Sequence, residues 1–468
     1  MRSRDLLTAA LVVFMAACGA RSTLRVSSEG ATGSGGSGPG GAGAGGSGPA
    51  TGPGTSGVGS STGSSTGGSV NVVCPALQML EPLVELPALA DLRAAHDPLL
   101  QRLGQGDVLA LMRREAVEGP VGGGLSSVSQ VRLAPWESWP PVFEAPLLTL
   151  SDSWNVPFVS SVEPLGTFAL GVEPFPKNNP SGCDLAAFYG LSPEAPPGPS
   201  ALALKLDGTC DDRPIAVATA GNGTHFVAND VAFGSSIHPV RSLVAHVLDA
   251  SGSKIASMDL ACATTRFVGD VLSDETGFLF VHARSDSQSC FETELHDPAR
   301  RLVLQRFQGT KQESSVIHEG VDDLVYTRLL PRNGGSWVLY RESGASAVVQ
   351  PPGMAMRLEA GSPSGDAFPV TSSDTNSMAA AAFGDGFVVA FVDSIDPSAP
   401  NIFVRVYDGS GTLSSEVSFG TNGAWLLGDR LTLVASPSAR SFLVGWIGAK
   451  EPFGSETFLR RFDCIPHE

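Results

Sequence analysis

Nowhere does this 468-residue chain hold an uninterrupted apolar stretch of the ~20 residues that a membrane-spanning helix requires. Positive charge is scarce as well. Thirty Lys and Arg stand against 47 Asp and Glu, a formal net charge of −17. A nucleic-acid surface needs a basic field to displace counterions from phosphates, so the balance speaks against DNA or RNA as partners. It fits an acidic, extracytoplasmic soluble surface. No cysteine pair stands at CxxC spacing and none is joined to histidine as CxxH, so no zinc or other metal site is expected. Gly361-Ser-Pro-Ser-Gly365 resembles a nucleophile elbow only in outline, because Pro363 occupies the nucleophile's place. His318-Glu319 lacks the second histidine of a zincin helix, and no phosphate-binding loop or calcium loop occurs. No cofactor is expected. These absences leave open one kind of enzyme, in which the site is gathered from distant segments.

The first 18 residues read MRSRDLLTAALVVFMAAC. Arg2 and Arg4 form a basic start, and Leu6 to Ala17 is an apolar run, too short to span a bilayer but right for a signal peptide. Met15-Ala16-Ala17-Cys18 closes it. This segment resembles the signal of bacterial lipoproteins, with Met15 where leucine is usual. The resemblance implies cleavage before Cys18, lipidation of that cysteine, and partnership with a membrane. Gly19 carries no acidic retention signal, which by the same resemblance favours the outer membrane. The alternative is an ordinary cleaved signal and a free secreted product.

Residues 31–70 contain only Gly, Ser, Thr, Ala, Pro and Val. Such a segment cannot bury enough apolar surface to offset its ordering entropy. Residues 19–70 are therefore read as a flexible tether, with a mean reach of roughly 35–40 Å. Gly41 to Gly46 formally matches GxGxxG, but no strand precedes it and no helix follows.

Residues 71–468 form the body. Segments of one grammar recur there: a Gly/Asp/Ser turn, an apolar run, a polar loop, a second run ending in an acidic turn, and a shorter run. The clearest is GDGFVVAFVD from Gly384, followed by NIFVRVYDGSG and TLSSEVSF. Others are SARSFLVGWIG with ETFLRRFD, GNGTHFVAND with SLVAHVLDASG, TGFLFVHARSD, GGSWVLYRESG, GTFALGVEP with SALALKLDG, and GQGDVLALMRRE with VSQVRLAPW. About seven copies recur at spacings of roughly 40–65 residues, the period of blade-type repeats. The runs have strand length and no helical spacing. The body is thus all-β and resembles a β-propeller of seven blades, without WD dipeptides or a clean Asp-box; SDETGFLF at Ser273 to Phe280 only approaches the latter. Two β-sandwich domains are the alternative. Residues 78–103 fit less well. Leucines at helical spacing suggest a short helix interrupted by Pro87 and Pro98, or else the first blade's outer strand.

Beyond Cys18, six cysteines remain: Cys74, Cys183, Cys210, Cys262, Cys290 and Cys464. An even count in an exported chain points to disulfides. Local pairs Cys183–Cys210 and Cys262–Cys290 are expected, with Cys74–Cys464 joining the two ends of a closed ring. His225, His246 and His282 lie in or beside strands, where packing explains them. Asp249, Asp408 and Asp463 recur at a strand end, where aspartate makes turns. Asn222-Gly223-Thr224 is a glycosylation sequon by pattern alone. Trp136, Trp139 and Trp154 lie in Pro-rich connections and would offer a stacking surface only if exposed together. The favoured function is a monomeric, non-enzymatic envelope module binding a protein or glycan. The alternatives are an envelope hydrolase or lyase with its site at the propeller channel, and an outer-membrane assembly scaffold.

Overall fold

A computed structural model describes the chain from Val72 to Ile465, apart from several segments between strands, of which 173–186 and 286–299 are the longest. For most of residues 92–203 it describes the backbone alone. Seven antiparallel sheets follow one another. Blade 1 is Leu92–Leu103, Val108–Val117, Ser126–Pro135 and Leu148–Ser151. Blade 2 is Phe158–Val162, Thr167–Val172, Ala187–Leu191 and Leu202–Ala203. Blade 3 is Arg213–Thr219, His225–Phe233, Val240–Leu248 and Lys254–Ala263. Blade 4 is Gly269–Ser273, Phe278–Ser285, Arg300–Gln308 and Lys311–Val321. Blade 5 is Leu324–Arg332, Gly335–Glu342 and Met354–Glu359, with a fourth strand broken into Ser362–Pro363 and Phe368–Pro369. Blade 6 is Thr375–Phe383, Gly386–Asp393, Asn401–Tyr407 and Leu413–Gly420. Blade 7 is Trp425–Ser436, Ser441–Lys450 and Gly454–Ile465; its outer edge is Ala76–Met79, and Val84–Leu86 pairs with the same last strand.

The first strand of each blade lies against the first strand of the next, and that of blade 7 lies against that of blade 1. The sheets therefore close into a seven-bladed β-propeller around a central axis. The expected helix at 78–103 is replaced by strands, and these belong elsewhere than foreseen. Ala76–Met79 and Val84–Leu86 complete the last blade, while Leu92–Leu103 is the inner strand of blade 1, bulged between His96 and Leu99 around Pro98. Proline removes a ladder donor, and a bulge absorbs the loss.

The second strands explain why the repeats read as unbroken apolar runs. In Gly386–Asp393 alternate residues face opposite neighbours. Val388, Ala390 and Val392 pack with blade 7, and Phe387, Val389 and Phe391 pack with blade 5. Trp337 and Leu339 likewise join blade 6, whereas Val338 and Tyr340 join blade 4. Among the described side chains the core is thus a series of layers between blades, and both faces of the sheets of blades 4 to 7 are covered.

The inner strands are stitched around the axis. Asp270 of blade 4 accepts the Leu329 N–H of blade 5 at 2.7 Å. The Ala380 backbone of blade 6 hydrogen-bonds the Tyr326 hydroxyl of blade 5. Ser377 Oγ accepts Leu431 N–H at 3.2 Å across blades 6 and 7, and Thr432 Oγ1 accepts Leu100 N–H at 3.1 Å across blades 7 and 1. Each bond partners a backbone donor on a strand edge that no sheet neighbour covers.

Where the first hairpin turns into the second strand, Gly277, Gly335 and Gly386 occupy equivalent places in blades 4, 5 and 6. A Cβ there would stand 2.1, 2.0 and 2.0 Å from the carbonyls of Phe307, Leu358 and Tyr407. Gly386→Ala is expected to lower stability by about 1–3 kcal/mol, the usual scale for overpacking, read as a lower urea midpoint.

Ring closure is held by Cys74–Cys464, with Cα atoms 5.3 Å apart at a sequence separation of 390. Both cysteines are buried. Arg440 donates to the Val73 carbonyl at 3.0 Å, and Arg460 to Glu81 at 2.8 Å. Cys262 is also disulfide-bonded; Cys183, Cys210 and Cys290 lie outside the described residues. In the chain-entropy model a closure this long stabilises by on the order of 5 kcal/mol. The Cys74→Ser, Cys464→Ser pair should therefore melt well below the wild type under oxidising conditions, with the gap closing when both are reduced.

Candidate functional site

Blade 5 departs from the repeat at its outer edge. Pro363 and Pro369 cannot donate to a ladder, and Gly365 has φ of 100°, so the fourth strand survives only as two short ends. Those ends pair with Leu358–Glu359 and Met354–Ala355 of the third strand. Between them Ser364 N–H donates to the Arg357 carbonyl at 2.8 Å and holds the detour. Across the gap runs the outer strand of blade 4, exposed along Lys311 to Val316. The interruption opens a groove of about 510 Å³ between blades 4 and 5. Gly361-Ser-Pro-Ser-Gly365, with Pro363 at its centre, is thus part of the segment that makes the groove.

Its floor is apolar, from Ile317, Pro351, Pro352, Met354 and Met356; His318, Tyr340, Glu342 and Asp366 supply polarity. The alternation that turns Tyr340 toward blade 4 brings it to the ring of His318, 5.7 Å away and tilted by 41°. Tyr340 is 1% exposed. Burial, and after it the charge of Glu342, pushes its hydroxyl up to about 12. Asp366 stands exposed at the rim. Sequence reasoning missed this site, because its residues come from two blades and only the paired prolines in a fourth strand mark it.

At the axis, Asp270 and Arg328 approach to 3.4 Å beside Tyr326. Burial raises the Asp270 carboxyl, and Arg328 opposes it. Arg328 keeps 45% of its side chain exposed, so water reaches the pair and screens it. Asp270 is occupied by the Leu329 stitch, which makes its evident role structural.

The remaining sequence candidates separate by role. Asp249 accepts Ser251 N–H, Ser251 Oγ–H and Ser253 N–H at 2.8, 2.6 and 2.9 Å; Asp408 repeats the pattern with Ser410 and Thr412 at 2.8, 2.6 and 3.0 Å. The Ser251 hydroxyl, then the backbone N–H groups, holds the Asp249 carboxyl below its usual range. Both are turn makers. Asp463 is not; it lies within the last strand and takes Arg461 Nε at 3.0 Å. Asn222 caps its own turn through Thr224 N–H at 3.0 Å. Trp136 is 4% exposed, donates to Ser441 Oγ at 2.9 Å and lies beneath Arg461, so it clasps blade 1 to blade 7 and offers no stacking surface. Trp139 is half-buried in the same layer, and Trp154 lies outside the described residues, as do Cys18 and the tether. Among the described residues no cluster of His, Cys, Asp and Glu could hold a metal.

No family model and no curated protein matches the sequence. Solved structures resemble the fold alone. A protein of unknown function from Dyadobacter fermentans is 11% identical, with 84% of this chain and 100% of that one covered and a TM-score of 0.47. An α-L-arabinofuranosidase from Fusarium graminearum is 8% identical over 81% and 96%, at 0.41. The WD40 domain of SCAP from fission yeast is 11% identical over 81% and 98%, at 0.33.

His282 lies wholly buried between blades 3 and 4. Its Nδ1 donates to the Ala283 carbonyl at 2.9 Å, its ring stacks on Phe280, and the Gln305 side chain is a further hydrogen-bonding neighbour. Burial lowers its pKa to about 4. Above the ordinary value near 6.5 the ring is neutral whether folded or not. Below it the unfolded chain takes up a proton that the folded chain refuses. Stability should therefore fall between pH 6.5 and 4, by about 3 kcal/mol. Urea midpoints across that window should drop in the wild type and drop less in His282→Gln.

Proposed function

We propose that this chain is a lipid-anchored, non-enzymatic binding module of the bacterial envelope, the outer membrane being its favoured home. In this reading Cys18 holds the membrane, residues 19–70 carry the propeller away from it, and the groove between blades 4 and 5 takes the ligand. The observation that carries the proposal is the groove. It interrupts the outer strand of blade 5, its volume falls in the ~300–1,000 Å³ range of ligand sites, and it joins an apolar floor to a few convergent polar groups. A second reading, a hydrolase or lyase acting at the axis, draws on the raised carboxyl of Asp270; that residue's bond to Leu329 argues against it.

The test is a crosslinking pull-down from native envelopes with full-length protein, Cys18→Ala and a groove-filling Ala367→Trp. One or two stoichiometric partners should appear with the wild type and vanish with Ala367→Trp at unchanged melting temperature, while Cys18→Ala should leave the membrane fraction. Undiminished capture by Ala367→Trp would remove the groove from the function, and membrane retention of Cys18→Ala would remove the anchor.

A further inference from the structure

We propose that this chain is a client of a thiol–disulfide isomerase, a partner carrying a reactive thiolate, which frees Cys74 from wrong bridges while the ring is still open. The proposal rests on the exported reading of the chain, in which the N-terminal end enters an oxidising compartment first. Three observations converge. The first is connectivity. Cys74–Cys464 spans a sequence separation of 390. Cys183, Cys210, Cys262 and Cys290 all stand between its two members. Cys262 is itself disulfide-bonded, so this stretch is oxidised as well. In an unfolded chain the chance of two residues meeting falls with roughly the 3/2 power of the loop between them. Cys183 should therefore meet Cys74 about 7-fold more often than Cys464 does. Cys464 is also the last of the six to emerge. Oxidation ahead of folding thus leaves Cys74 on the wrong sulfur.

The second is what presents the native pair. The two Cα atoms stand 5.3 Å apart because Ala76–Met79 pairs with the last strand, Leu77 opposite Cys464. Arg440 steadies both sides. Its carbonyl accepts Cys464 N–H at 2.8 Å, and its guanidinium donates to the Val73 carbonyl at 3.0 Å, across 367 residues of sequence. Only a ring with all its blades in place makes these contacts, so the correct partner arrives last.

The third is access. Cys74 is 0% and Cys464 6% exposed, and both belong to the apolar layer that holds Phe442 and Phe462. A thiolate must reach the sulfur it attacks. The closed ring gives no such path, so exchange belongs to the open ring and ends when the ring closes. The chemistry needs no oxidant. The partner's thiolate attacks the Cys74 sulfur of a wrong bridge, forms a mixed disulfide with Cys74 and expels the other cysteine as a thiolate. The Cys464 thiolate then attacks the same Cys74 sulfur and expels the partner's thiolate. One disulfide is broken and one is made, with no net transfer of electrons.

The experiment uses the full chain with Cys18→Ala, so that six cysteines remain. The reduced chain is oxidised with glutathione disulfide in urea, then diluted into buffer with or without a purified, reduced bacterial disulfide isomerase. Bonds are mapped by alkylation, proteolysis and mass spectrometry. In urea, bridges from Cys74 to nearer cysteines should exceed Cys74–Cys464 by at least ~5-fold. After dilution the isomerase should speed recovery of Cys74–Cys464 by at least ~10-fold, and an isomerase alkylated at its attacking cysteine should not. A chain folded first in reduced form and then oxidised should make Cys74–Cys464 directly. Recovery at the same rate without the isomerase would overturn the proposal, and so would exchange of Cys74–Cys464 in the closed ring at the rate seen in the open one. All six cysteines found as thiols in rapidly alkylated cells would overturn the exported reading and this proposal with it, whereas failure in the refolding assay overturns this proposal alone.

Discussion

Everything in this molecule depends on closing the ring. A four-stranded sheet with apolar residues on both faces has no stable existence alone, because water would meet one face whatever covered the other. Blade 6 shows this clearly: its second strand divides between Phe387, Val389 and Phe391 on one side and Val388, Ala390 and Val392 on the other. Each layer of core belongs to two blades, so one missing junction would leave two faces wet. The closing junction is made by chain ends 390 residues apart. There the N-terminal strand is short, Ala76–Met79, and the ladder alone would fray. The disulfide, the Arg440 and Arg460 contacts and the Trp136–Arg461–Ser441 clasp reinforce the place where the ring is weakest.

Geometry then separates the strands of a blade. Near the axis seven strands converge and space is short, so Thr375–Phe383 carries four consecutive alanines and Arg213–Thr219 places Ala216 and Ala218 inward in its layer. Small side chains bury little area, and the stitches by Asp270, Tyr326, Ser377 and Thr432 add directional bonds where apolar packing is thin. Farther out the layers widen and hold the large rings: Trp337 with Phe387 and Tyr407, Trp446 with Phe419 and Phe458.

That taper decides what the sequence discloses. Second and third strands are legible, since burial on both faces leaves runs such as FVVAFVD and SFLVGWIG, and the acidic turns after them, at Asp249 and Asp408, repeat atom for atom. First strands are nearly silent, because alanine and mixed polar residues carry no period. The segment SALALKLDG shows a further limit: its described residues, Leu202–Ala203, belong to the fourth strand of blade 2, and the third strand is Ala187–Leu191. The segment 78–103 misleads for a different reason. Its first strands belong to a sheet completed at the far end of the chain, and no local pattern records a partner 380 residues away. Cysteine arithmetic succeeds at that same place because a closed ring leaves its ends adjacent, a topological fact that needs no local signal.

The groove follows from the same logic inverted. A perfect repeat has nowhere to bind anything between its blades, since every face is already covered. Function at a blade edge therefore requires a defect, and the defect must not open the core. Blade 5 meets both conditions. Its prolines interrupt only the outermost strand, the bonds of Ser364 to Arg357 and Val370 to Gly353 satisfy the backbone on either side, and the inner layers with blades 4 and 6 remain intact. What the interruption uncovers is the outer end of a layer, lined by methionines, prolines and the nearly buried Tyr340. The part of the lining that can vary most freely is the outer one, because Met354 and Met356 stand on the third strand of blade 5 and Asp366 in the detour of its fourth, whereas the stitch to Asp270 is made from its first.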